Sequence, residues 1–169
     1  VTIFVHAYTT LAPDTGARVL QALNQDSSLI GGAIGQKFDV SGPSYSLVEI
    51  LNDMKTAFFG ISFGDQVQFV RTQAARERGL IPDIPLMEDV ELSLRMKRAG
   101  RVCYLWGGAT VSARKWNGNF LARFWQVIYL LAVFFARRFK GKLQTEDLYR
   151  IYYYPEAKIR VPSLDPSLL

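Results

Sequence analysis

Two adjacent acidic residues, Glu88 and Asp89, stand at the start of a segment with helical periodicity, directly after a loop that contains Pro85. A carboxylate in this position is held by a rigid element yet faces a cleft, and this arrangement suits a general base. Acidic residues in the first turn of a helix also complement the helix dipole, by about 0.3–1 kcal/mol each. The spacing alone leaves both interpretations open, the catalytic one and the structural one.

The segment that positions this pair is typical of an amphipathic helix. Met87, Val90 and Leu94 are spaced as on one helical face, two basic residues occupy the last turn, and Gly100 provides a stop. The pattern therefore predicts a helix that starts at the acidic pair and ends at Gly100.

Patterns typical of strands and helices alternate along the rest of the chain. The predicted strands cover residues 2–5, 30–38, 67–71 and 101–106. The other predicted helices cover residues 14–24, a segment after Gly42–Ser44, a short segment closed by Gly79, and residues 120–139. One face of the second helix carries Leu47, Ile50, Leu51 and Met54. The alternation indicates an α/β fold around a mixed or mostly parallel sheet.

The composition indicates a folded protein with one main domain. The chain has 169 residues, of which 49% are hydrophobic and 21% are charged, and this balance argues against disorder. We assign residues 1–143 to the domain and residues 144–169 to a short helix and a loosely held tail. The single cysteine, Cys103, excludes an internal disulfide and a cysteine metal cluster, and its apolar neighbours predict a buried strand position.

Positive charge is concentrated in one part of the chain. Eleven Lys and Arg residues and no Asp or Glu lie between Leu92 and Thr145. Such a block favours an anionic partner, either a phosphate-bearing substrate or a lipid surface. Nucleic acid is not expected as a partner, because the sequence contains no DNA- or RNA-binding motif.

The segment 120–139 raises the question of membrane contact. Its apolar core, from Phe124 to Ala136, has thirteen residues, whereas a crossing needs about 20. Basic residues flank this core, so the helix either packs on the core of the protein or lies at a membrane surface. The sequence leaves these two alternatives open.

The first residues, Val1–Val5, have strand character, with neither a Met before them nor the layout of a signal peptide. A domain seldom starts inside an apolar strand. We therefore expect the chain to be part of a longer protein whose first part lies upstream.

Four short segments carry a family resemblance when they are taken together: Phe4–Thr9, Gly31–Asp39, Gly64–Arg71 and Pro82–Asp89. They resemble the inverting family-two glycosyltransferases of GT-A fold, most closely the bacterial branch called radical-SAM or selenodomain-associated transferases. The resemblance extends from about residue 3 to residue 139. It implies the C-terminal, acceptor-side part of a GT-A (Rossmann-like) α/β domain, with a mixed sheet flanked by helices and a C-terminal amphipathic helix. The nucleotide-binding part, roughly 60–100 residues in two or three βαβ units, would precede it.

By this resemblance the Glu-Asp pair includes the base that deprotonates the acceptor hydroxyl. Asp89 is the expected base, and Glu88 is expected to orient it or to bind the acceptor. The implied reaction is a single displacement with inversion. The acceptor oxygen attacks the anomeric carbon while a nucleoside diphosphate leaves from the opposite face.

The same resemblance implies a metal site, but one expected ligand is replaced. The strand that ends in His6-Ala-Tyr8 resembles a His-Ala-Asp-Thr motif whose Asp holds Mg²⁺ or Mn²⁺ on the diphosphate. Tyr8 takes the place of that Asp, and a neutral phenol is a poor ligand for either ion. His6 is left as a candidate for one nitrogen ligand, with a structural role as the alternative.

The resemblance also implies that two further segments bind the substrate. The loop Gly64-Asp65-Gln66 is expected beside the sugar, where Asp65 and Gln66 would hydrogen-bond hydroxyl groups after the turn at Gly64. Arg114 and Trp116 resemble an Arg-Trp run of the family, and would hold the diphosphate and cover a sugar face. Considered without the family, these segments are a turn before a strand and a basic surface turn.

A pair of glycines, Gly31 and Gly32, resembles a Gly-Gly-Ala-Phe strand of the family. There the small residues are expected to let the backbone pass close to the substrate cleft. Glycines inside a strand also commonly mark a bulge, so this signal is weak when it stands alone.

Together, these features predict a glycosyltransferase that moves a sugar from a nucleotide-sugar donor to an unknown acceptor. Tyr8 and the absent front part leave the activity of this chain open. The alternative is a truncated or catalytically impaired relative that acts as a binding or peripheral membrane module. The expected location is the cytoplasm, including the inner face of the membrane. The sequence specifies neither the donor, nor the acceptor, nor the oligomeric state.

Overall fold

The computed structural model of this protein describes residues 1–116 and 120–154, without the side chains of residues 115, 116 and 120. Within this part the chain forms two compact units. The first combines Val1–Asp83 with Met87–Phe120, and the second combines Ile84–Leu86 with the chain from Leu121 onward. The prediction of a loosely held tail falls mainly on residues 155–169, which lie outside the described part.

Five strands of the first unit form one mixed sheet. They are β1 (Thr2–Phe4), β2 (Thr9–Leu11), β3 (Leu29–Phe38), β4 (Gln68–Val70) and β5 (Arg101–Val111). Their order across the sheet is β1-β4-β3-β5-β2. Only β3 and β5 pair in parallel, and the other three pairings are antiparallel. The predicted α/β class with a mixed sheet is therefore confirmed, and the mostly parallel alternative is wrong.

Helices follow the strands in the order that the sequence predicts. They are α1 (Thr15–Gln25), α2 (Pro43–Phe59), α3 (Thr72–Glu77), α4 (Glu88–Ala99), α5 (Phe120–Phe139) and α6 (Glu146–Tyr153). A short 3₁₀ turn covers Ala113–Trp116. None of the helices in the described ranges has both the length and the apolar character that a membrane crossing requires.

The core of the first unit occupies both faces of the sheet. On one face Val19 and Leu23 of α1 pack with Phe69 of β4, and all three are at most 2% exposed. Neighbouring residues of a strand point to opposite faces, so Val70 belongs to the other face, where it packs with Met96 of α4. Burial of one large apolar side chain contributes about 1.5–3 kcal/mol. These two clusters fix α1 and α4 to the sheet.

Helix α2 presents its apolar face to solvent. It starts with Pro43 after Gly42, ends at Phe59 and is capped by Gly60, whose φ of 62° is left-handed. The residues that it buries are Val48, Asn52 and Thr56. The face that carries four large apolar residues is 46–55% exposed: Leu47, Ile50, Leu51 and Met54. The inward face of α2 is therefore mainly polar, and this places hydrogen-bonding groups beside the sheet.

The two glycines of β3 serve the packing of strands. A Cβ atom added at Gly31 would collide with the carbonyl oxygen of Phe69 in β4, and one added at Gly32 would collide with that of Cys103 in β5. The close approach that these glycines permit is thus an approach between strands. The expected approach of the backbone to a substrate at these glycines stays a prediction.

Strand β5 continues beyond the predicted end at Trp106. It passes through Gly107 and Gly108, with φ of 65° and 114°, before it ends at Val111. The two glycines allow a bulge where the sequence pattern indicates a break. The extension pairs with β2, which the sequence did not predict. Cys103 lies in β5 as predicted but is half-buried and not fully buried.

Candidate functional site

Asp89 is anchored in the first turn of α4 by two backbone amides. Its Oδ2 accepts a hydrogen bond from the N–H of Gly64 at 2.5 Å, and its Oδ1 accepts one from the N–H of Val90 at 2.7 Å. The first bond joins segments that lie 25 residues apart in the chain. The Gly-Asp-Gln loop and the start of the Glu-Asp helix therefore meet at one place.

Met87 turns the chain sharply into α4. Its φ of 63° is left-handed, and no other non-glycine residue of the described part has a positive φ. Such a conformation costs about 1–3 kcal/mol and persists only where the surrounding structure enforces it. The Met87 side chain is buried, which supplies that enforcement. The strained turn sets the direction in which Glu88 and Asp89 leave the loop.

The surroundings of Asp89 suit a proton acceptor. Burial raises the pKa of Asp89 above its ordinary value of 3.8, while hydrogen bonds from Gly64 and Val90 and the charges of Lys55 and His6 act in the opposite direction. A carboxyl group with a raised pKa is better matched to accept a proton near neutral pH. Each carboxylate oxygen also has a second lone pair, so both remain able to accept a further hydrogen bond.

Asp65 lies in the same loop. One of its carboxylate oxygens accepts a hydrogen bond, and the other has no partner in the described part of the chain. In the amide orientation that satisfies both its oxygen and its nitrogen, the Gln36 side chain in β3 donates to the backbone oxygen of Asp65 at 3.1 Å and to Oδ2 at 3.2 Å. Oδ1 is buried and has no hydrogen-bond partner in the described part of the chain. Burial raises the pKa of Asp65 to about 6; the charge of Lys55 opposes this shift, and that of Asp89 reinforces it.

Lys55 of α2 places a positive charge beside these carboxylates. Its Nζ lies 3.2 Å from the centre of the Phe63 ring, and it is buried without a hydrogen-bond partner among the described residues. Burial lowers the pKa of Lys55 to about 8, although the charges of Asp65 and Asp89 oppose the shift. The ammonium group and Asp65 Oδ1 thus both keep unused hydrogen-bonding capacity.

His6 packs against the Gly-Asp-Gln loop. Its ring lies so close to Gly64 that a Cβ atom added there would collide with Nε2. The ring also stacks on Tyr8, with 5.2 Å between ring centres and 17° between planes. Its charge acts on Asp89. The segment with the expected metal position therefore joins the other two segments at the acidic site.

Buried polar side chains hold the backbone of Asp89. Its carbonyl oxygen accepts hydrogen bonds from Gln68 Nε2 at 2.8 Å and from Ser93 Oγ at 3.0 Å. Ser62 lies 3.0 Å from Ser93 Oγ and completes this network. Gln66 is fully buried and accepts a hydrogen bond from a hydroxyl group of α2 at 2.7 Å. Gln66 thereby positions the loop, and its contact with a substrate stays a prediction.

Glu88 and Arg114 form no hydrogen bond or ion pair with Asp65 or Asp89 in the part of the chain that the structure describes. The side chain of Glu88 is largely exposed, although partial burial and then the charge of Asp89 raise its pKa. Arg114 is exposed on the 3₁₀ turn after β5. Within the described residues Arg114 forms no ion pair with a carboxylate. The side chain of Trp116 lies outside the described part. The proposed roles of Glu88, Arg114 and Trp116 therefore stay predictions.

Several polar residues near the cluster belong to no recognised motif. Lys55 is an example, because it comes from an ordinary helix. Gln36 lies within the segment Gly31–Asp39, but the resemblance gives this residue no role. Tyr104 of β5 donates a hydrogen bond from its hydroxyl to Asp53 of α2, and burial raises the pKa of both groups. Tyr104 also lines a cavity of about 200 Å³ beside Ser62. The available sequence signal is the polar inward face of α2, which periodicity alone does not distinguish from a solvent-facing one.

The residues present fit a divalent metal ion poorly. In residues 1–116 and 120–154 no group of three or more His, Cys, Asp or Glu side chains is arranged to hold one. Tyr8 stands where the resemblance expects an acid, and Lys55 already brings a positive charge to Asp65 and Asp89. A metal ion would add a like charge at the same place. No step of the chemistry is therefore derived through a metal ion.

Comparisons with known proteins add no family assignment. Models of protein families, curated proteins and solved structures all gave no match to the chain. The interpretation of the site therefore rests on its geometry and on the resemblance of its motifs.

Substitution of Gly64 by Ala tests the contact with His6. Because the added methyl group collides with the His6 ring, Gly64→Ala is expected to lower the free energy of unfolding by about 1–3 kcal/mol. Chemical denaturation measures the change. Gly16→Ala in α1 is the control, since its Cβ meets nothing within 4 Å and it should stabilise by about 0.5–1 kcal/mol. Equal behaviour of the two variants would show that His6 does not pack on the loop.

Proposed function

We propose that this chain is the acceptor-side part of an inverting glycosyltransferase that uses a nucleotide-sugar donor. The observation that carries the proposal is the hydrogen bond from the Gly64 N–H to Asp89. It brings the loop expected beside the sugar to the carboxylate expected to act as the base. His6, from a third segment of the resemblance, contacts the same loop. Three separate segments therefore converge on one buried acidic site.

Asp89 acts as the general base in this proposal. Its carboxylate takes the proton of the acceptor hydroxyl as the acceptor oxygen attacks the anomeric carbon of the donor sugar. The bond from that carbon to the diphosphate breaks, and the nucleoside diphosphate leaves from the opposite face with the electron pair. The raised pKa of Asp89 favours the proton transfer, since a base works best when its pKa approaches the working pH.

Asp65 and Lys55 recognise a hydroxyl group of a sugar. Asp65 Oδ1 can accept a hydrogen bond and Lys55 Nζ can donate one, and neither has a partner in the described part of the chain. A hydroxyl group donates one hydrogen bond and accepts others, so its chemistry suits both an acceptor such as Asp65 Oδ1 and a donor such as Lys55 Nζ. An analogue without this hydroxyl would leave buried polar groups without partners. Such sites reject the wrong substrate by about 10⁴- to 10⁵-fold.

The negative charge of the leaving diphosphate needs a positive partner. Arg114 is the candidate that the resemblance supplies, and its exposure leaves the guanidinium accessible to a ligand. A guanidinium binds two phosphate oxygens at once, which makes it suited to this role. In this proposal side-chain cations meet the charge, in keeping with the poor fit of the site to a metal ion.

The proposal is tested with the protein purified at its native length from its natural host. The purified protein is incubated with a panel of nucleotide sugars, and the release of nucleoside diphosphate is measured. We expect at least one donor to bind and to be consumed. If calorimetry detects no binding of any donor and no nucleoside diphosphate is released, the proposal is wrong.

Tyr8 distinguishes an active enzyme from a catalytically impaired relative. If the site derives from a metal-dependent one, Tyr8→Asp should restore a hard oxygen ligand and raise the affinity for Mn²⁺ by about tenfold or more. Calorimetric titration of Mn²⁺ measures the affinity, and donor hydrolysis measures any gain in turnover. Tyr8→Phe is the control, because it removes the hydroxyl without adding a ligand. A Tyr8→Asp variant without a gain in metal binding or hydrolysis would exclude the impaired-enzyme alternative.

A further inference from the structure

One face of α5 is an exposed apolar stripe that runs the length of the helix. Its members are three or four residues apart: Leu121, Trp125, Ile128, Ala132, Phe135 and Phe139. The exposure of the large side chains ranges from 40% for Phe135 to 94% for Phe139. No stripe position carries a charged residue. A helix in water normally turns a polar face to solvent, so the stripe indicates contact with another phase or molecule.

The opposite face of α5 already holds the helix in its unit. Leu130 and Phe134 are 0% exposed. Arg137 donates two hydrogen bonds to the carboxylate of Asp147 in α6, at 2.7 and 2.6 Å. The side-chain amide of Gln126 donates to the carbonyl oxygen of Ile151 at 3.1 Å. The stripe is therefore not needed to fix α5 to α6.

Basic residues lie on both sides of the stripe near its end. At about 100° of rotation per residue, Arg138 lies on one side of Phe139, and Lys140, directly after the helix, lies on the other. Lys142 is also exposed. In the second unit up to Tyr154 there are six Lys and Arg residues and two acidic ones. One of the acids, Asp147, is paired with Arg137. The surroundings of the stripe therefore carry excess positive charge.

We infer that the stripe of α5 docks on the surface of an anionic lipid bilayer, with the helix axis parallel to the membrane plane. The apolar side chains enter the boundary between headgroups and acyl chains, and the flanking basic side chains reach the anionic headgroups. Trp125 and Tyr129 on this face suit that boundary, since their rings join an apolar body to a polar tip. The helix has 20 residues, which gives about 30 Å of contact length.

Charge favours a bilayer over a second copy of the chain as the partner. Two copies that shared their stripes would each bring excess positive charge to the contact, whereas a bilayer with phosphatidylserine supplies the opposite charge. The inference does not depend on the proposed sugar transfer, because it uses no residue of the carboxylate site. If the proposed sugar transfer were wrong, the inference of membrane docking would be unaffected, and the reverse also holds.

Vesicle binding by the native protein tests the inference. The protein is sedimented with vesicles of phosphatidylcholine that contain 30% phosphatidylserine, at low and at high salt. We expect binding that weakens in high salt, because the basic flanks contribute through screened charge. The variant Ile128→Glu/Phe139→Glu should bind at least tenfold more weakly, since it places charges on the stripe. Lys140→Gln/Lys142→Gln should lower binding by about fivefold for each lysine.

A matched control lies on α2, where Leu47 and Ile50 are each 55% exposed. Leu47→Glu/Ile50→Glu makes the same chemical change on another apolar surface and should leave vesicle binding unchanged. Trp125 gives a second readout in a variant with Trp106→Phe and Trp116→Phe, where acyl chains labelled with bromine should quench its fluorescence.

Three results would overturn the inference. The first is an absence of binding to anionic vesicles by the native protein. The second is an equal loss of binding in the α2 control, which would make the effect non-specific. The third is a dimer in solution that Ile128→Glu/Phe139→Glu converts to a monomer without any change in vesicle binding. That result would assign the stripe to a second copy of the chain.

Discussion

Replacement of Asp89 by Asn is expected to lower the rate of sugar transfer by about 10²- to 10⁴-fold, the usual contribution of a general base. The Asn side chain keeps the shape of Asp89 and one acceptor oxygen, so it can still accept the hydrogen bond from Gly64. It cannot take a proton from the acceptor. The release of nucleoside diphosphate at saturating donor measures the rate, and calorimetry measures donor affinity separately.

Glu88→Gln is the matched control for this experiment. Glu88 is the neighbouring acidic residue, and Glu88→Gln makes the same change from carboxylate to amide. The Glu88 side chain, however, is exposed at the edge of the site. We expect a much smaller loss of rate and the same free energy of unfolding as the native protein. A loss at Glu88 as large as that expected at Asp89, together with an active Asp89→Asn variant, would assign the base to Glu88.

The elements that hold the site follow closely from local sequence. Acidic residues in the first turn of α4, basic residues in its last turn and Gly100 after it all favour the same helix, and the structure has it at Glu88–Ala99. The end of β5 was harder to predict. Gly107 and Gly108 look like a break, yet their positive φ values form a bulge and the strand continues. The extension pairs with β3 on one side and with β2 on the other, and such pairing is a long-range property.

The faces of the helices depend on tertiary structure in the same way. The apolar face of α2 would be expected to point inward from its composition, but Thr56 and Asn52 point inward instead. There Thr56 donates to Gln66 of the loop, a tertiary contact that the sequence of α2 alone does not reveal. Periodicity shows that a helix has two faces, and it does not show which of them meets the sheet.

The motif residues of the site were identified from sequence because their types are unusual at their positions. Asp89 at a helix start and Asp65 in a glycine turn fit a known pattern, and the structure brings their segments together through Gly64. Lys55 was missed because a lysine in a helix is ordinary. Its role comes from burial beside two carboxylates, and burial is determined by the fold.

The cluster combines the carboxylates of Asp65 and Asp89 with the ammonium group of Lys55. Burial disfavours the charged form of each of these groups. Such groups are retained at functional sites although they lower stability. Neither Lys55 Nζ nor Asp65 Oδ1 has a hydrogen-bond partner in the described part of the chain. The hydrogen bonds to water that these two atoms lose on folding are therefore not fully replaced. A ligand hydroxyl would provide that partner. The cluster should therefore leave a measurable pH dependence in the free energy of unfolding.

Asp65 contributes the acidic part of this dependence. Its pKa is about 6 in the folded protein, compared with 3.8 ordinarily, so between these values the folded state binds more protons than the unfolded one. The free energy of unfolding therefore falls as pH rises from about 4 to 6, by about 1.4 kcal/mol per pH unit or roughly 3 kcal/mol in total. Asp65→Asn should lack this part of the fall and be more stable than the native protein at pH 7.

Lys55 contributes the basic part, with the opposite slope. Its pKa is about 8 in the folded protein, compared with 10.5 ordinarily, so in this range the unfolded state binds more protons and stability rises with pH. Lys55→Met should lack this rise. Chemical denaturation of the native protein and both variants from pH 4 to pH 10 measures the differences. Because burial also raises the pKa of Asp53 and Asp89, the difference between native protein and variant isolates each residue. A difference that does not vary with pH would show that neither charge is buried as described.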